Sequence, residues 1–120
     1  MNNGFTMKGM EGISAMLARL EESELRGAAY TGAQAGLEAI CMEVRMLCPK
    51  DTGALADSIA VRMTDDGGEV YAGAPYAVQV EMGTGERRAQ PFLFPAMRAK
   101  EREALRCVSE ALSRQVKGNT

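Results

Sequence analysis

The sequence predicts an α+β domain: two N-terminal helices, a small antiparallel β-sheet with a hairpin, and a long C-terminal helix packed on the sheet. Three observations predict it. Apolar residues recur at three- and four-residue spacing towards both ends of the chain, the period of a helix. Between them, Ile59, Val61 and Met63 alternate with Ala60, Arg62 and Thr64, the period of a half-buried strand. Pro49 and the run Asp65-Asp66-Gly67-Gly68 interrupt the pattern where one element must give way to the next. At 120 residues, 46% hydrophobic and 25% charged, residues 1–120 read as a single globular domain and not a disordered chain.

Taken in order, residues 1–9 carry no periodic signal and are expected to be disordered. Met10, Ile13, Leu17 and Leu20 give a first short amphipathic helix. Ser23 is placed to cap a longer one, in which Tyr30, Ala33, Leu37, Ile40, Val44 and Leu47 form the apolar stripe. Pro49 ends it, because the residue before a proline is pushed out of helical geometry. Gly27, Gly32 and Gly36, with Ala28, Ala29, Ala33 and Ala35, thin this helix and imply close approach to a neighbouring helix or to another subunit. Residues 58–73 form a hairpin about the Asp-Asp-Gly-Gly turn. Tyr76, Val78, Val80 and Met82 alternate as in a strand, yet Pro75 suits a first helical residue and Gly83 a terminating one; two helical turns are the expectation. Residues 83–95 are expected as an extended loop. The last helix starts near Pro95 or Ala96, carries Leu105, Val108, Leu112 and Val116 on its stripe, and leaves 118–120 as a tail.

Composition removes several chemistries. There is no histidine, so imidazole bases and His-ligated metals are absent. Cys41, Cys48 and Cys107 are odd in number and form no CxxC pair, which describes buried thiols and not a disulfide framework or a zinc site. A formal net charge of −2 gives no electrostatic reason to bind nucleic acid. Lys and Arg thicken between Arg87 and Arg106, but Glu86, Glu101 and Glu103 dilute them into an ordinary solvated face. No apolar run reaches membrane-spanning length and no signal peptide is evident. Asp51-Thr52-Gly53 is the triplet of aspartic proteases, which pair two such aspartates across a dimer. Here it follows a helix end instead of an apolar strand, no second supporting strand ends in Gly, and the preceding chain is mainly helical. On that pattern Asp51 or Thr52 caps a short turn over Ala54–Asp57. No catalytic set, cofactor or metal site is expected.

Three ordered blocks remain. Pro49-Lys50-Asp51-Thr52-Gly53-Ala54-Leu55-Ala56-Asp57-Ser58-Ile59 resembles the P-x-D-T-G-x-L-x-x-S-I signature of a tail-component family of long-tailed bacteriophages and prophages. Tyr76-Ala77, followed by Val80-Glu81-Met82-Gly83-Thr84, resembles that family's Y-A-x-x-V-E-x-G-T, with Met82 where an aromatic is common. Pro91-Phe92-Leu93-Phe94-Pro95-Ala96 resembles its P-F-L-x-P-A, which precedes a C-terminal helix. The resemblance implies a non-enzymatic virion structural protein at the head-proximal end of the tail, variously called a tail-completion, head–tail joining or minor tail protein. It implies rings matching a sixfold tail tube, with tail-tube and neck or connector proteins as partners. It also implies synthesis in a bacterial host cytoplasm, and no small-molecule substrate. A homodimeric aspartic protease and a phage-derived cytoplasmic binding module are the rival readings.

As architecture, the motif residues divide the labour. Pro49 stops a helix, Asp51-Thr52 start the next turn, Gly53 allows close backbone approach and Gly83 a left-handed turn. Glu81 is expected to pair with Arg62, Arg87 or a neighbouring subunit. Glu86, Arg87 and Arg88, with the apolar Phe92 and Phe94, are the candidate protein interface. The isolated chain is expected to be monomeric, with the loop ordering on assembly.

Overall fold

A computed structural model describes residues 5–8, 19, 23–50, 53–65 and 67–118. The elements in chain order are β1 (Phe5–Lys8), α1 (Ser23–Leu47), α2 (Ala54–Asp57), β2 (Ile59–Arg62), β3 (Glu69–Ala72), α3 (Ala77–Met82) and α4 (Leu93–Gly118). The α+β class, the hairpin and the long C-terminal helix are all present. The first helix expected over 10–20 lies outside the described residues, except for Arg19, which is helical.

The hairpin pairs β2 with β3 in the register Ile59↔Ala72 to Arg62↔Glu69, and Gly67 N–H closes its turn on Thr64 C=O at 3.1 Å. Its inner face is Ile59, Val61, Val70 and Ala72; its outer face carries Arg62, which bonds Glu69 at 2.9 Å and lies over the Tyr71 ring. A two-stranded ribbon is marginal by itself. The third strand is β1, antiparallel to β3 with Phe5 opposite Ala72, which gives the sheet order β1-β3-β2. Residues 5–8 are therefore strand, where disorder was expected. Four residues are too few to show a period of two, and their partner lies some sixty positions away.

α1 and α4 run antiparallel, as three points along them fix: Glu24 accepts from Gln115 at 3.2 Å, Gly32 faces Val108, and Gly36 faces Ala104. A Cβ at Gly32 would sit 2.7 Å from the Val108 Cα, and one at Gly36 2.8 Å from the Ala104 Cα. The close approach implied by the glycines is thus within the chain, helix on helix. Gly27 takes no part; among the described residues nothing lies within 4 Å of its would-be Cβ.

This approach also decides which face of α4 is buried. The buried residues are Leu93, Ala96, Ala104, Val108 and Ala111, whereas Leu105 and Val116 of the expected stripe are exposed. Facing two glycines, the helix turns its alanines inward, and a stripe weighted by side-chain size picks a neighbouring face. On α1 the stripe is buried from Ala33 to Val44; Leu47 is exposed and Cys48 takes its place in the core. Burial raises the Cys41 and Cys48 thiols above their ordinary range, against the lowering effect of Arg45 on the first and Lys50 on the second.

The sheet's inner face joins the same core as α1 and α4. β2 is an edge strand. Because Ser58 C=O bonds Gly73 N–H at 3.0 Å, the polar groups of Ile59 face outward, away from β3. Arg45 of α1 donates to that outward Ile59 carbonyl at 2.7 Å, which ties the sheet to the helix.

Candidate functional site

The end of α1, all of α2 and α3, the loop after α3 and the start of α4 gather at one end of the molecule, and the three sequence blocks lie there. Local chemistry explains each. Gly53 is the N-cap of α2 with φ +79°, and among the described residues no atom lies within 4 Å of a Cβ built on it, so its left-handed backbone is what calls for glycine there. The cap expected from Asp51 or Thr52 lies outside the described residues. Leu55 of α2 is buried. The Ser58 hydroxyl donates to its carbonyl at 2.6 Å, closing the turn before β2 begins. Asp51-Thr52-Gly53 thus falls between α1 and α2, where the sequence placed it.

Glu81 corrects an expectation. It is 3% exposed and bonds neither Arg62, which is held by Glu69, nor a surface partner. Its Oε1 accepts from Phe92 N–H at 2.8 Å and Leu93 N–H at 2.9 Å, and its Oε2 from Phe94 N–H at 3.2 Å. The first N–H groups of a helix have no partner inside it. Glu81 supplies one for Leu93 and Phe94, and the next residue, Pro95, has no N–H to place. The negative charge also suits the positive end of the helix dipole. This cap moves the start of α4 from Pro95 back to Leu93, shortens the loop, and puts Phe92 at 0% exposure in the core. Phe92 is therefore unavailable to a partner, while Phe94 is 42% exposed. Tyr76, at the N-cap of α3, is exposed, and Ala77 beside it is buried. The second block and the third are one device: a carboxylate in one seizes the helix start in the other.

The loop between them is structured, contrary to the expected disorder. Gly83 has φ +79° and ψ 171°, and a Cβ there would meet Ala89 N at 2.7 Å. Thr84 Oγ1 accepts from Glu86 N–H at 3.2 Å and Arg87 N–H at 3.0 Å, Thr84 N–H donates to Arg87 C=O at 2.9 Å, and Gln90 N–H returns to Val80 C=O at 2.8 Å. Those bonds fold the loop back on α3 and raise Glu86, Arg87 and Arg88 into solvent.

Between this loop, α2 and α3 lies an open cleft of about 290 Å³. Pro49, Leu55, Tyr76, Val80 and Thr84 line it together with Gln79, Arg87, Arg88 and Gln90. Residues from the first two blocks, twenty to thirty-five positions apart, thus line one surface. The sequence named Pro49, Leu55, Tyr76, Thr84 and the two arginines; Gln79 and Gln90 carried no signal, since a lone glutamine marks nothing. Among the described residues no group of three or more His, Cys, Asp or Glu lies where it could hold a metal ion, and no helix is long and apolar enough to cross a membrane.

Comparison with protein-family models, curated proteins and solved structures gave no match.

Proposed function

We propose that the chain is a non-enzymatic structural component of a bacteriophage or prophage virion, at the head-proximal end of a long tail. In this reading it completes the tail and helps join it to the head, by forming a ring and docking on tail-tube and neck proteins. The observation that carries the reading is the convergence of the three blocks. Motif residues spread from Pro49 to Pro95 build one end of the molecule, with Glu81 capping α4 and Pro49, Leu55, Tyr76 and Thr84 framing an exposed cleft. Each has an architectural task, and together they present a surface of mixed apolar and basic character, as a docking face requires. Mass spectrometry of purified particles tests it. The chain should be found in intact virions and in tails, and not in isolated filled heads. Its absence from all of them would contradict the assignment.

A further inference from the structure

We propose that the cleft seats an acidic–apolar peptide segment of a partner protein. The segment is extended, with an Asp or Glu carboxylate on Arg87 and Arg88 and a neighbouring aliphatic side chain against Pro49, Leu55 and Val80. The inference rests on the docking reading above and names the chemistry of what docks.

Charge selects the carboxylate. Two arginines line the cleft and no acid does. Arg87 and Arg88 are exposed and form no ion pair among the described residues; Glu86, beside them in the loop, does not line the cleft. Two like charges side by side repel, and a carboxylate offers each guanidinium an acceptor oxygen in a charge-assisted bond. The side-chain amides of Gln79 and Gln90 supply donors and acceptors for the backbone of the guest. Because Thr84 Oγ1 already holds the Glu86 and Arg87 N–H groups, the arginine loop is set beforehand and little ordering is lost on contact.

Shape selects the form of the guest. The cleft holds about 290 Å³, whereas one helical turn, about 10 Å across and 5.4 Å high, fills about 420 Å³. A helix does not enter; an extended segment that lays in a side chain does. Nor does the apolar surface stop at the cleft. The six-residue α3 gives Gln79 and Val80 to it and also carries Val78 and Met82, 40% and 58% exposed and four positions apart on one helix face. A helix of that length spans about 9 Å, so three further residues of an extended guest, at about 3.3–3.6 Å each, reach along it. A small carboxylate held in the cleft leaves Val78 and Met82 bare, while a peptide running out of it covers them. An oligonucleotide shares the negative charge but has no aliphatic side chain to set against Pro49, Leu55 and Val80.

Selection of a random decapeptide library, displayed on yeast, against the purified full chain tests this. Enriched peptides should carry Asp or Glu beside Leu, Ile, Val or Met. A synthetic peptide of their consensus should bind Arg87→Gln/Arg88→Gln at least about tenfold more weakly than wild type, and lose as much when its own acid becomes an amide. Arg102→Gln/Arg106→Gln removes the same charge from exposed positions on α4 and should leave binding unchanged; circular dichroism shows that both variants are folded. No enriched peptide, enriched peptides without acids, or equal losses in the two variants would each overturn the assignment. So would a thymidine oligonucleotide that binds as tightly as the consensus peptide. Peptide binding by a chain absent from virions leaves the cleft assignment standing and overturns the tail reading; a chain present in virions that enriches no peptide does the reverse.

Discussion

Glu81 is the residue on which most of the local architecture turns. A carboxylate between Val80 and Met82, on a six-residue helix, looks from sequence like a surface charge, and surface charges are usually worth about 0–1 kcal/mol as ion pairs. Buried and accepting three backbone N–H groups, it does something larger. Glu81→Ala would strand donors at the start of α4, at about 1–3 kcal/mol for each one buried. The expected result in urea denaturation is a loss on the order of 3 kcal/mol, with Glu81→Gln intermediate because the amide keeps one acceptor oxygen. An unchanged midpoint for Glu81→Ala would contradict the cap. The pairing was hidden in the sequence for a physical reason. Glutamate at a surface and glutamate at a helix start have the same spelling, and only the return of the loop, through Gly83 and the Gln90–Val80 bond, brings its partners within reach.

At the scale of elements, the α1–α4 pair is fixed by what its glycines face. Gly36→Ala would press a methyl against the Ala104 backbone, which cannot yield as a flexible side chain can, and overpacking of this kind costs about 1–3 kcal/mol. Gly27→Ala meets open space and should instead stabilise by about 0.5–1 kcal/mol, through helix propensity alone. Opposite signs for two chemically identical substitutions nine residues apart, read from denaturation midpoints, would confirm the contact face; equal shifts would refute it. The elements themselves were largely legible. Period and punctuation located α1, the hairpin, α3 and α4, since each is local in sequence. What periodicity could not supply was information carried by distant partners: β1 exists by pairing with β3, and α4 turns alanines inward because glycines on α1 await them. Of the candidate site, the two arginines and the motif residues that line the cleft were legible, while the burial of Phe92 followed from the unseen Glu81 cap.

For the whole molecule, structure and motif agree in one respect. The residues that carry the resemblance are concentrated at the end where α1 stops, α2 and α3 turn, and α4 begins. That end offers a cleft that Arg87 and Arg88 help to line. The central claim, a virion protein that joins tail to head, is tested most directly by electron microscopy of lysates from the phage or prophage with this gene deleted, with and without the protein supplied in trans. The account predicts filled heads and separate tails without it, and joined particles when it is restored. Joined, infectious particles in its complete absence would contradict the account.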